Sequence, residues 1–447
     1  MQISAGDTAW MLTSAALVFL MSPGLAFFYA GLVRRKNALN TLMMTCVAIS
    51  TGALIWMLLG YSLAFAPGNA LLGGLQFALF NNVGEAPVAY ASTIPALVFA
   101  LFQGMFASIT PAIISGAIVE RMKFTAYLLF LSLWSLVVYA PVAHWVWGEG
   151  GWIRNLGALD FAGGTVVHVT AGVAALMCAW LLGARHDHRR AALVPHNVPF
   201  VLLGSGLLWF GWFGFNAGSA LAANGVAALA AINTNTAAAA AMLTWLVLES
   251  VRSGKPTAVG AATGTVVGLV GITPAAGFVY PWAALIIGVV TAMVSFSVLQ
   301  LRSKTSLDDT LDVFACHGVG GMCGALLTGV FAAKAVNAAG ADGLLYGNPS
   351  LLGVQALAVS ATVVYTAVLS AVLVAFVRMV MPIRAGLKEE LEGLDRHAHG
   401  EEAYHDTSAI GSLGGAVLVR LDGVKPTAER MIAGKRSDEF EPIASGQ

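Results

Sequence analysis

Charge is what this chain has least of. Only 10% of its 447 residues are Asp, Glu, Lys or Arg, against about 25% in a soluble globular protein. Hydrophobic residues make up 58% and the mean hydropathy is +0.78, so the chain is not built mainly for water. The formal net charge is zero, and no nucleic-acid partner is expected. Cysteine is scarce as well. Cys46, Cys178, Cys316 and Cys323 all fall inside apolar runs, so no disulfide framework is indicated. Cys316 and Cys323 lie two helical turns apart on one segment, too far to bridge. The ~10-residue alternating segments of a transmembrane β-barrel are absent. No Lys or Arg precedes the first apolar run, so that run lacks the charged start of a signal peptide and reads as a retained span.

What is present is apolar sequence in long blocks. Eleven runs, roughly 8–31, 39–65, 94–119, 124–146, 163–184, 197–221, 228–250, 257–274, 280–301, 310–333 and 351–380, each suit a hydrocarbon core of ~30 Å. The expected fold is an all-α polytopic membrane protein with 11 transmembrane helices. A transmembrane domain would cover 1–385 and a cytoplasmic tail 386–447. Charges then sort by loop. Arg34, Arg35, Lys36, Arg121, Lys123, Arg185, Arg189, Arg190, Arg252, Lys255, Arg302, Lys304, Arg384 and Lys388 fall on one side, and only Arg154 and Lys334 on the other. By the positive-inside rule the N-terminus is outside and the C-terminus inside, as an odd span count requires. In the tail some helix is expected near 387–394 and a short strand at 416–421.

An internal repeat is visible. GLAFFYAG (24–31) in span 1 matches GWFGFNAG (211–218) in span 6, and an Asp-x7-His stretch recurs in spans 5 and 10. Five spans per copy place the second copy upside down relative to the first, spans 1–5 against 6–10, with span 11 appended. Inverted repeats bring substrate sites to the membrane midplane at the repeat interface.

The repeated stretch carries the chemistry. His168 follows Asp160 by eight residues in DFAGGTVVHVTAG, His317 follows Asp309 by eight in DDTLDVFACHGVGG, and Gly172 and Gly321 follow the histidines by four. An ionisable residue inside a span faces the protein interior or a cavity and marks a pathway. A single buried histidine is as well explained by packing; a matched pair favours function. Paired imidazoles also suit a metal, but zinc takes three or four ligands and the spans offer no further His, Cys or carboxylate in register. His144 ends span 4, and His186, His188 and His196 lie in a loop. No metal or other cofactor is expected. The many glycines spaced by four, such as Gly260, Gly264 and Gly268, read as close helix packing.

Aromatic residues gather toward the outer side: Phe102 and Phe106 in span 3, Trp145, Trp147 and Trp152 after span 4, and Phe210, Trp212, Phe213 and Phe215 close to Ser219 in span 6. An interfacial belt with core packing explains such a set. So does a cage of π faces that holds a small cation, at ~2 kcal/mol per desolvated contact. Both readings stand on the residues alone.

FYAGLVRRKN (28–37), GAIVERMKF (116–124), APVAHWVWGEGGW (140–152), DFAGGTVVHVTAG (160–172), WFGWFGFNAGSA (209–220), DVFACHGVGG (312–321) and HGEEAY (399–404) occur in that order. Together they resemble the ammonium transporter family, in its Amt/Mep branch rather than the Rh branch, over nearly the whole chain. The resemblance implies that His168 and His317 are twin histidines lining a hydrophobic lumen and that Phe106 and Phe215 form a phenyl gate above them. It implies recruitment of ammonium by Trp147 and Ser219, with Phe106 lending a ring face and Asp160 a buried carboxylate behind the site. Asp160 reads independently as a helix cap for span 5, and the two roles are compatible. The resemblance also implies ammonium, ammonia and methylammonium as substrates, a homotrimer in the lipid of a bacterial plasma (inner) membrane, and a regulatory tail that meets a PII-family signalling protein. Two other classes fit the sequence less well. A sensor would carry an added signalling domain, for which roughly 60 residues after span 11 are too few. A membrane protease would need an H-E-x-x-H pair or an activated nucleophile, and neither motif is present, so no enzyme is expected.

Overall fold

Backbone polar groups cannot be left unpaired in hydrocarbon, so a chain this apolar must satisfy them within helices. The computed structural model describes residues 2–191 and 193–404, and among these the regular elements are all helical. Ten stretches are long and apolar enough to cross a membrane. In chain order they are α1 (Ala5–Leu32), α2 (Arg35–Phe65), α3 (Ala96–Ile118), α4 (Phe124–Asn155), α5 (Gly164–Leu182), α6 (Val198–Ala217) and α7 (Gly225–Ser253). A shorter apolar helix, α8 (Ala258–Ile272), precedes α9 (Pro281–Arg302), α10 (Phe314–Phe331) and α11 (Pro349–Val380). The eighth expected run is where helix and sequence differ. α8 has 15 residues, about 22 Å at 1.5 Å per residue, because Pro274 has no N–H to continue it and the chain enters turns at Thr273. Two short helices, α12 (Leu387–Glu392) and α13 (Leu394–His399), follow α11. The strand expected at 416–421 lies outside the described residues.

Local chemistry fixes the ends. Ser4, Asn197, Asn224 and Thr257 each accept a backbone N–H from the first turn of α1, α6, α7 and α8, and Pro281 and Pro349 open α9 and α11, where a missing N–H costs nothing.

The two Asp-x7-His copies fold alike and point opposite ways. Asp160 lies beside Trp147 at the end of α4, whereas the chain just after Asp309 bonds to the far end of α3, Leu311 N–H to Gly116 O at 3.1 Å. Three residues after each aspartate the backbone turns left-handed, at Gly163 (φ 108°) and Asp312 (φ 58°). Each copy then runs through a wide π-helical turn, Gly164–Val169 and Phe314–Val319, which carries the histidine before ordinary α-helix resumes. α5 and α10 cross where a Cβ on Gly172 would lie 2.1 Å from Gly318 N, and one on Gly321 3.0 Å from His168 Cβ. Only glycine permits that approach.

The end of the bundle opposite Trp147 holds a buried ion-pair network. Glu120, fully buried, bonds to Arg34 and to Arg185 Nη1 (2.8 Å), while Asp308 receives Arg185 N, Nε and Nη2 at 2.8–2.9 Å. Burial pushes the Glu120 carboxyl up, but hydrogen bonds and charge from Arg34 and Arg185 outweigh it and hold the group at about 2. Asp308 is likewise held low by Arg185 and Arg121 against its burial. The sequence presents these arginines as loop charges; folded, Arg121 and Arg185 are buried. The segment after α11 joins this face. Glu390 accepts His186 N–H (2.5 Å) and Arg384 Nη2 (3.0 Å), and Asp395 accepts the N–H groups of Leu39 and Asn40 at 3.0 and 2.7 Å.

Candidate functional site

The crossing of α5 and α10 brings the two histidines together. His168 Nδ1 lies 3.2 Å from His317 Nδ1, and the residues are 1% and 4% exposed. The rings are neither far apart nor turned to the outside. Above them the aromatic rings stack into a column. Phe215 lies over His168 at 5.9 Å between centroids, Phe106 over Phe215 at 4.2 Å, and Trp147 meets Phe106 edge-on at 6.1 Å and 89°. Trp212 stacks on His168 from the side at 5.4 Å. Phe215 sits within a third π-helical turn, Phe213–Ala217, which swings its side chain off the regular 3.6-residue register.

A lumen bordered by His168, His317, Phe215, Trp212 and the apolar side chains of Leu25, Phe28, Ile113 and Val266 runs beside this column. Its open volume is about 10 Å³, the lower limit at which a cavity admits one water-sized molecule. An Nδ1–Nδ1 hydrogen bond needs one proton between two neutral rings. Whichever ring donates, the two remaining Nε2 atoms are then one acceptor and one donor. His168 Nε2 has no protein partner. The slot is narrow, apolar and equipped with a single pair of polar atoms.

Beyond the Phe106–Phe215 pair lies a cavity of about 470 Å³, bordered by Phe106, Trp147, Asp160, Ser219, Gln103 and Arg154 among others. Most of its polar groups are already engaged within the protein. The Ser219 hydroxyl gives its hydrogen to Phe215 O (2.8 Å), which leaves oxygen lone pairs free. Trp147 Nε1–H is spent on Asp160 O (2.9 Å), which fixes the ring, and Arg154 Nη1 donates to Trp147 O at 2.5 Å. The Asp160 carboxylate accepts four backbone N–H groups, from Gly163, Gly164, Thr165 and Val166, at 2.7–3.1 Å. It therefore caps the π-helical start of α5 with every lone-pair direction engaged. Such a carboxylate acts on a cation through its field rather than by direct contact.

All seven residues singled out in the sequence fall on this one axis. Two neighbours were missed. Gln103, one turn before Phe106, is 9% exposed and its Oε1 has no partner; an isolated glutamine in an apolar run was the available signal. Arg154 read only as a loop charge. Among the described residues no group of three or more His, Cys, Asp or Glu side chains is placed to hold a metal.

Comparison with known proteins identifies the family. The family model described as Ammonium Transporter Family matches residues 9–404. An ammonium transporter of Bacillus subtilis is 52% identical over 403 residues, covering 90% of this chain and 99% of the relative. One from Aquifex aeolicus is 50% identical, covering 90% and 94%. Among solved structures, Saccharomyces cerevisiae Mep2 is 40% identical with a TM-score of 0.79 over 83% of this chain and 85% of its own. Candida albicans Mep2 reaches 0.81 at 38% identity over 87% and 88%. A Sensor Amt Protein is also similar, 30% identical with a TM-score of 0.80 over 88% and 98%. The two curated relatives are ammonium transporters, and with its apolar helices and matched histidine copies the chain is a multi-pass membrane protein belonging to the ammonium transporter family.

Proposed function

We propose that this transporter recruits NH4+ at the outer cavity, removes a proton, and passes NH3 through the histidine-lined lumen. One observation carries the reading: a slot of about 10 Å³ bordered by apolar side chains and a single imidazole pair. An intact cation entering such a slot pays a Born cost of tens of kcal/mol at low dielectric, and neutral ammonia avoids nearly all of it. The recruiting groups are the Trp147 and Phe106 rings and the Ser219 oxygen. Asp160 supplies negative potential from behind, and Phe106 and Phe215 form the gate. Potassium resembles ammonium in size and charge but has no proton to surrender, so selectivity rests on chemistry as well as fit.

The shed proton is taken to follow by way of the histidine pair, giving net NH4+ movement. Currents on solid-supported membranes test this: an ammonium pulse should give a current and a potassium pulse none. Ammonia uptake with no current would refute the proton path. Methylammonium is the expected alternative substrate. The setting is a bacterial inner membrane, with homotrimers in contact with lipid. Residues from 386 onward serve as a cytoplasmic regulatory tail able to meet a PII-family protein. A sensor reading draws on the similarity to the Sensor Amt Protein; methylammonium uptake in cells lacking their own transporter favours transport, and its absence favours sensing.

A further inference from the structure

Gln355 is a polar residue deep in an apolar helix that the transport reading leaves without a role. It lies near the start of α11, 2% exposed, and its side-chain amide is fully engaged with backbone. Oε1 accepts Leu159 N–H at 2.8 Å, while Nε2 donates to Leu159 O at 2.8 Å and to Ala325 O at 2.9 Å. The first two bonds form a cyclic pair with the N–H and C=O of one residue, which fixes both the position and the orientation of that stretch of chain. Leu159 immediately precedes Asp160, whose carbonyl anchors the Trp147 indole and whose carboxylate caps α5. Ala325 lies on α10, eight residues beyond His317.

One amide thus ties the segment that leads into α5, behind the outer cavity, to α10. Its seat is close-fitting: a Cβ on Gly329 would lie 3.1 Å from Gln355 Cγ, and Leu351, one turn earlier, packs with Leu159. A glutamine needed only to fill this space could be replaced by methionine of similar volume, whereas one needed to place a peptide unit could not.

We propose that Gln355 is a positioning residue for ammonium recruitment, which sets substrate affinity by holding Leu159 and Asp160 under the Trp147 ring. The inference rests on the assignment of Trp147 to recruitment. The test is methylammonium uptake by the full chain in cells, with membrane abundance measured, for Gln355→Met, Gln355→Glu and Trp147→Leu. Q355M should raise the half-saturating concentration several-fold and change the saturated rate less than twofold, because the lumen is untouched. Q355E should recover affinity as external pH falls, since a protonated carboxyl offers one donor and one acceptor and can rebuild the cyclic pair. The wild-type protein should not show that recovery. An unchanged half-saturation in Q355M, a loss confined to the saturated rate, or failure of both Gln355 variants to reach the membrane would overturn the proposal. If W147L raises half-saturation and Q355M does not, the clamp alone is wrong. If W147L has no effect, the recruitment assignment itself fails.

Discussion

Gly172→Ala adds a single carbon at the crossing of α5 and α10, and the structure says what that carbon does. It would lie 2.1 Å from Gly318 N, where real Cβ atoms do not come closer than 3.0 Å. The atom in the way is backbone and cannot rotate aside, so the helices must part by about 3.0 − 2.1 = 0.9 Å. Added to the 3.2 Å between the two Nδ1 atoms, this puts them roughly 4 Å apart, beyond the ~3.2 Å reach of a nitrogen hydrogen bond. Overpacking of this size costs about 1–3 kcal/mol, which an assembled membrane protein can survive. A broken buried hydrogen bond costs ~1–3 kcal/mol, so if it bears on the rate-limiting passage, transport falls by about 5- to 160-fold. Methylammonium uptake normalised to membrane abundance measures this, with Gly225→Ala as control, since its Cβ meets nothing within 4 Å. G172A at normal abundance with the wild-type rate would refute the claim that this crossing sets the histidine spacing.

Replacing His168 or His317 by Asp should admit potassium, read as a potassium current, because a lumen carboxylate repays part of a bare cation's desolvation. Replacing both by Ala should abolish or uncouple transport; wild-type selectivity in that double variant would reduce the pair to packing. Asp160→Ala leaves four buried N–H groups without an acceptor and should lower thermal stability in detergent by about 3 kcal/mol or more, whereas Asp160→Asn, which keeps one acceptor oxygen, should fall between. Glu120→Gln removes the buried charge that Arg34 and Arg185 share, leaving them Asp187 and Asp308 respectively, and should cost about 3 kcal/mol. Glu120 is held at about 2, below the ordinary 4.5, so its contribution, on the order of 3 kcal/mol, is complete above pH ~4.5 and lost as pH falls toward 2. Melting measured across that range should show a decline that is shallower in E120Q, where Asp308, also held low, still contributes.

The sequence exposed what is periodic or repeated. Apolar runs announced the helices, and the Asp-x7-His copies announced the paired histidines, because both are local patterns. The four-residue step from each histidine to Gly172 or Gly321 was visible too, but spacing alone could not show that these glycines face the opposite copy. The π-helical turns were not legible. Two of them follow a helix start capped by Asp160 or Asp309, another ends α6 at Phe213–Ala217, and no residue type marks them. The buried charge network was misleading in the sequence for a similar reason. Arg121 and Arg185 find their partners 62 to 189 residues away, so each looks solvated in its own loop. Gln103 and Gln355 stand out in the sequence only as single glutamines in apolar runs, a weak signal; their partners, or the lack of one, give them meaning.

The bond from Asp395 to the N–H groups of Leu39 and Asn40 has a consequence for biosynthesis. The opening turn of the second helix is among the first structures to leave the ribosome, yet the carboxylate that satisfies it is made some 355 residues later. Until translation passes that point, these donors must rely on solvent. A late step of the chain's manufacture therefore closes a loop on one of the earliest, and a product released before it would lack that closure however well its core had formed.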